Sequence, residues 1–262
     1  MAVSTPAGSS YMRSHAYFAG FFDGDGSVVR DHQRARLRVS GCHLPAMLAF
    51  REMYGGAVTY ERSSSERPNC KPKYTWGSHG STEAVLREWL QVDTSSTEFL
   101  TGYFDAEGCI HGVRKQARMQ AGGYDPRVAL LLRDRFDGIV CASVSDKGYH
   151  SVGKPAYLWL SNKATIQHAL ETLEPLMIEK REQAQVALRY YAGEITSDEM
   201  DEQLRGLKKV TFPLEEWAHV IDGKYGTRGD NNDDTGLRHR SKRAATGTDP
   251  GLAIDRRGGD GW

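Results

Sequence analysis

One stretch of this sequence is written twice, and a chain that repeats an almost wholly apolar segment must find both copies a place in its core. The first copy reads Tyr17-Phe-Ala-Gly-Phe-Phe-Asp-Gly-Asp-Gly-Ser27 and the second Phe99-Leu-Thr-Gly-Tyr-Phe-Asp-Ala-Glu-Gly-Cys109. Each has small residues at its middle, Ala19-Gly20 and Thr101-Gly102, and closes on two acids and a glycine. As helices, these segments have almost no polar face and must be buried. Their small residues let another backbone approach, and the natural partner is the other copy. The motif therefore predicts two helices packed against each other at the centre of the molecule.

The interval between the copies holds beyond them. The spacing that separates Asp25 from Glu107 also separates Asp23 from Asp105, Arg36 from Arg118, and Gly56-Ala-Val from Gly138-Ile-Val. With one inserted residue, Lys71-Pro-Lys-Tyr-Thr-Trp76 matches Lys154-Pro-Ala-Tyr-Leu-Trp159. A repeat of this length is a duplicated domain half rather than a solenoid unit.

Within each half the pattern predicts helix, two strands, helix, two strands, helix. In the first half the motif helix leads into strands over Ser27 to Ser40, where Leu37 and Val39 alternate with Arg36 and Arg38. A helix over Pro45 to Tyr54 stops at Gly55-Gly56. Strands over Ala57 to Arg62 and Lys73 to Gly77 follow, then a helix over Thr82 to Leu90. A capping box, Ser95-x-x-Glu98, is expected to start the second motif helix. The second half ends in a helical stretch near Ile166 to Ala192, broken at Pro175. The expected class is α+β, with halves over 1–97 and 98–193, a short helical extension over 194–221 (Ser197 to Leu207, Leu214 to Ile221), and a disordered tail over 222–262, which has little to bury.

The chemistry gathers where the motif helices end. Asp25 and Glu107 stand at the C-terminal ends, where the macrodipole is already negative and unpaired carbonyls point outward. A bound cation reverses that unfavourable placement, since carboxylate and carbonyl oxygens together suit Mg²⁺, Ca²⁺ or Mn²⁺. A solvated acid at a helix C-cap is the better explanation of one copy alone, but two copies at matching places of a repeat weaken it. Asp23 to Ser27 is not a calcium loop, because Val28 and Arg34 occupy its turn-glycine and bidentate-glutamate positions. Gly26 and Gly108 are expected to supply the freedom to turn out of each helix.

Strand residues two apart share a face. Arg34, Arg36 and Arg38 fall together in the first half, and Arg114, Gln116, Arg118 and Gln120 at the matching register in the second. Such a face suits base-edge reading, Arg toward guanine and Gln toward adenine. A solvated sheet face is the plainer alternative. Lys71, Lys154 and Lys163 lie in or after the last strand of each half and are candidates to reach the acids.

The formal net charge of the 262 residues is +0, which argues against a uniformly basic nucleic-acid coat but leaves room for a basic face. The longest apolar run, Ala16 to Phe22, is too short for a membrane span, and the N-terminus lacks a signal-peptide pattern, so a soluble intracellular protein is expected. Cys42, Cys70, Cys109 and Cys141 lack Cys-x-x-Cys spacing and read as reduced thiols.

Phe18-Ala-Gly-Phe-Phe-Asp-Gly-Asp-Gly26 and Leu100-Thr-Gly-Tyr-Phe-Asp-Ala-Glu-Gly108 resemble, residue by residue, the signature of the LAGLIDADG homing endonucleases, and the element order resembles that family over about residues 11–193. The resemblance implies a monomer of two pseudo-symmetric α-β-β-α-β-β-α halves, their curved antiparallel sheets forming a saddle on double-stranded DNA. It implies that Asp25 and Glu107 bind divalent cations, Mg²⁺ with Mn²⁺ or Ca²⁺ able to replace it, helped by the carbonyls of Gly24 and Ala106. It further implies a staggered cut across the minor groove, in the service of intron or intein mobility. An RNA maturase, or a DNA-binding protein that does not cleave, would use the same scaffold. Family members often carry a Gln or Lys near the end of the second strand, where this chain has Ser40-Gly-Cys-His43 and Ala121-Gly-Gly-Tyr124. An auxiliary group must then come from elsewhere, and Lys163 is the candidate.

Overall fold

The computed structural model of the protein describes residues 14–31, 34–61, 73–79, 82–144 and 155–208. The first half comprises α1 (His15–Asp25), β1 (Gly26–Asp31), β2 (Arg34–Gly41), α2 (Leu44–Tyr54), β3 (Ala57–Glu61), β4 (Lys73–Gly77) and α3 (Thr82–Trp89). The second repeats that order in α4 (Thr97–Glu107), β5 (Gly108–Val113), β6 (Gln116–Gly123), α5 (Pro126–Phe136), β7 (Ile139–Val144), β8 (Pro155–Leu160) and α6 (Ile166–Leu173). A short 3-10 turn, Glu174–Leu176, carries Pro175 and breaks the expected long helix into α6 and α7 (Arg181–Tyr191). The last described element is α8 (Ser197–Leu207). The expected helix at 214–221 and the tail over 222–262 lie outside the described residues.

Each half builds a four-stranded antiparallel sheet, β1-β2-β4-β3 in one and β5-β6-β8-β7 in the other. Equal orders are what a duplication requires. Alternation divides the faces: Leu37, Val39, Tyr74 and Trp76 are buried on the helix side, as are Ala117, Met119 and Trp159 in the second half. The repeat reaches the side-chain bonds, for Trp76 Nε1 donates to Gly55 O at 2.7 Å and Trp159 Nε1 to Asp137 O at 2.8 Å. Gly55 holds φ +67° and Asp137 φ 59°, so the second copy keeps a left-handed bend without glycine.

The motif helices α1 and α4 pack on each other as their composition predicts. A Cβ at Gly20 would run into the backbone carbonyl of Phe99, and one at Gly102 into that of Tyr17, so the backbones touch where the small residues lie. Two expectations need correction. The N-cap of α4 is Ser96, which accepts from Phe99 N at 3.3 Å, because Asp93 has already engaged the hydroxyl and amide of Ser95. Among the described residues a capping box forms instead between Thr196 and Glu199, at the start of α8. Gly26 and Gly108, for their part, adopt ordinary extended backbone with φ −89° and −81°. Glycine is required there by space, since a Cβ would meet the carbonyls of Phe22 and Phe104.

Candidate metal centre and DNA-reading faces

Asp25 and Glu107 are the last residues of α1 and α4, and the packing of the helices brings these ends together. A Cβ at Gly24 would stand 2.6 Å from Ala106 Cβ and 2.9 Å from Glu107 Cγ, so nothing larger than glycine lets the ends approach. No basic residue occupies the last turn of either helix. Burial raises the Asp25 carboxyl to about 6 despite nearby Lys180 and Lys73. Burial, then repulsion from Asp25, raises Glu107 to about 7. Two acids held this close resist losing both protons, and a divalent cation bound beside them would relieve that repulsion. Among the described residues no three His, Cys, Asp or Glu side chains form a ready metal cage. The two carboxylates would therefore bind a hard cation with ligands from backbone, water or substrate, as Mg²⁺ accepts.

The lysine placed over these acids is Lys180, which sequence reasoning did not single out. Its Nζ donates to the carbonyls of Asp105 and, at 3.4 Å, Ala106. The Ala106 carbonyl expected to serve the cation is thus shared with a lysine. Lys163, the expected auxiliary, lies in the exposed turn after β8, while Lys71 and Lys154 lie outside the described residues. The segment before α7 is held by one buried carboxylate. Asp105 accepts from the amides of Ile178, Glu179 (3.0 Å) and Lys180 (2.9 Å), and from Tyr17 Oη of the first half at 2.6 Å. Its repeat mate Asp23 is exposed and lies near Arg127, so equal motif positions serve unequal tasks. The available signal was the pairing of an acid inside an apolar helix with the Pro175 break, whose following amides needed an acceptor.

Arg36 and Arg38 are exposed on the sheet face opposite buried Leu37 and Val39. Arg34 opens β2 at the same register, paired in the ladder with Asp31. In the second half Gln116, Arg118 and Gln120 share the outward face, with Arg118 exposed. Arg114 belongs elsewhere: with Lys115 it forms the two-residue turn of the β5–β6 hairpin, at φ 48° and 65°. Both residues being left-handed is the mark of the turn that matches strand twist, and it takes Arg114 off the strand face. Gln120 also lines a cleft with Cys109, His111, Asp201 and Arg205 of α8, and Lys208 at its end. The second face is flanked by a helix that sequence periodicity did not place there. Cys42, Cys109 and Cys141 are free thiols, and Cys70 lies outside the described residues.

Fold and site together define a duplicated α+β chain whose halves meet at paired helix-end acids. No protein-family model matches the sequence, and no curated protein matches it. Solved structures do. A lysine-to-alanine mutant of I-SmaMI matches with a TM-score of 0.50 and 12% identity over 74% of this chain and 98% of its own. The LAGLIDADG meganuclease I-AabMI bound to uncleaved DNA matches at TM-score 0.49 and 12% identity, over 76% and 99%. The N-terminal LAGLIDADG domain of DUF199/WhiA matches at 0.43 and 13%, over 65% and 84%. At such identities the likeness is one of fold: this chain has the two-motif LAGLIDADG fold. No helix among the described residues is long and apolar enough to cross a membrane.

Proposed function

We propose that this protein is a sequence-specific double-stranded DNA endonuclease of the homing type, hydrolysing one phosphodiester on each strand with divalent metal ions. The observation that carries this reading is the meeting of Asp25 and Glu107, two carboxyls raised by burial and held against each other at glycine-lined helix ends. A DNA-binding protein that does not cleave has no use for such a pair.

Asp25 and Glu107 would hold Mg²⁺, or Mn²⁺ or Ca²⁺ in its place, with the Gly24 carbonyl at the adjoining helix end. A cation held by these residues would supply Lewis-acid polarisation of a scissile phosphate and an activated water for in-line displacement. The protein's own groups do the rest. Lys180, fixed by its bonds to Asp105 and Ala106, offers positive charge where the phosphate gains negative charge. Arg34, Arg36 and Arg38 read one half-site, and Gln116, Arg118 and Gln120 the other. Arg114, at the hairpin tip, serves a phosphate rather than a base. Each half covers about one turn of duplex, so a monomer spans roughly 20 base pairs. The two faces differ, and the target is accordingly not a perfect palindrome.

The test is selection of cleavable sites from a random duplex library with Mg²⁺, followed by sequencing of the cut ends. One enriched site with a staggered break is expected. Asp25→Asn and Glu107→Gln should each abolish cleavage while DNA binding persists. Cutting by either variant at the wild-type rate would sink the proposal.

A further inference from the structure

A carboxyl that the paired acids leave unexplained sits one residue before Lys180. Glu179 Oε1 is buried and has no hydrogen-bond partner among the described residues. A buried carboxylate oxygen without a partner is costly, and such atoms in folded proteins ordinarily answer to a water or an ion. Burial pushes the Glu179 carboxyl well above the usual carboxylate range, against the pull of Lys180. The main chain aims it, since the Glu179 amide is one of the three held by Asp105.

The place it reaches is defined by a missing side chain. Glu179 Oε1 stands 3.7 Å from where a Cβ at Gly41 would be. Gly41 ends β2, and the register that pairs Gly26 with Val39 carries this strand end alongside the end of α1, where Asp25 lies. Asp25 is also among the charges that act on Glu179. The second half solves the same gap differently. Gly123 ends β6 at the repeat-matched place, and the hydroxyl of Tyr103 stands 2.6 Å from its Cβ position, within electrostatic reach of Glu107. Each glycine strand end is therefore served by a polar group from elsewhere, a carboxyl in one half and a phenol in the other.

We propose that Glu179 is a positioning residue of the first-half site, holding over Gly41 a water that bridges its Oε1 to a divalent cation on Asp25. The bridge runs through water because, among the described residues, no third acid joins the pair in a group that could hold a metal ion. This rests on the nuclease reading, and it makes the two cuts chemically unequal, since only one of them draws on Glu179.

Glu179→Gln keeps the shape and removes the carboxyl that a bound cation would ionise. Mn²⁺ binding to the free protein, read by electron paramagnetic resonance, should weaken about 10- to 100-fold, the usual cost of an outer-shell change. On a cleavable duplex the variant should slow one strand by a similar factor and accumulate nicked DNA, with DNA affinity unchanged. Glu179→Asp should recover part of both losses. Unchanged Mn²⁺ affinity in Glu179→Gln, together with its loss in Asp25→Asn, would overturn the proposal and leave the nuclease reading intact. Mn²⁺ affinity unchanged in both would overturn the nuclease reading itself. Equal slowing of both strands would show a general structural role and also overturn the proposal.

Discussion

Asp25 and Glu107 link the site to the stability of the whole protein through their protons. Unfolded, these carboxyls ionise near 3.8 and 4.5; folded, they do so near 6 and 7. A raised folded-state value means that stability is fully present below the unfolded values and is lost as pH rises through the folded ones. The melting temperature of the metal-free protein should therefore fall between about pH 4 and 7, and Mg²⁺ should restore it most at the upper end, where no proton competes for the ligands. A melting temperature that is flat with pH, or an equal Mg²⁺ effect at pH 5 and 7.5, would contradict the raised pair. Asp105 makes a second test at this scale. Asp105→Asn turns one acceptor oxygen into a donor facing amide N–H groups, and should cost about 1.5–3 kcal/mol, as for hydrogen bonds to a charged acceptor. Cleavage should fall further than unfolding explains, because the segment carrying Lys180 loses its clamp. Chemical denaturation and cleavage at a temperature where the variant is folded separate the two. The acids themselves were legible in the sequence because each is covalently part of a repeated motif. Lys180 was not, since it meets them only through a turn whose course depends on a buried acid in another element.

The packing of α1 against α4 makes glycine substitutions diverge in sign. Gly20→Ala pushes a methyl into the Phe99 carbonyl and should destabilise by roughly 1–3 kcal/mol, as overpacking does. Gly206→Ala in α8 meets open space and should stabilise by about 0.4–1 kcal/mol by restricting the unfolded chain. Urea denaturation of both variants checks the pair, and a neutral Gly20→Ala would mean the helices are not in backbone contact. Elements with strong local pattern were readable in advance: α2, β4 and the Pro175 break stand where apolar spacing, glycine pairs and proline put them. Features decided by competition between neighbours were not. Asp93 diverts Ser95 from capping α4, and the Arg114-Lys115 pair enters a left-handed turn that its residue types do not favour. The position of α8 beside β5 also escaped, because an amphipathic helix announces that it has a buried face but not which surface covers it.

Duplication sets what the molecule as a whole can recognise. Two sheets of the same strand order present outward faces of different composition, so each should read its own half of an asymmetric site. Substituting Arg36 by Ala should relax base preference in one half-site only, by about 1–3 kcal/mol if the contact is bidentate. Substituting Arg118 should do the same in the other half, although its surroundings differ, since Lys208 of the α8 cleft and Arg118 both act on the neighbouring His111. A phosphate contact behaves otherwise. It weakens all sequences alike and lowers the salt dependence of binding, which is the result expected for Arg114 at the hairpin tip. The measurement is cleavage of every single-base variant of the selected target by Arg36→Ala, Arg118→Ala and Arg114→Ala. Preference changes confined to opposite halves for the first two, with none for the third, are what two independent faces require. Changes spread evenly over both halves would mean that the sheets do not read the duplex separately, and the duplicated fold would then have to recognise its target through shape.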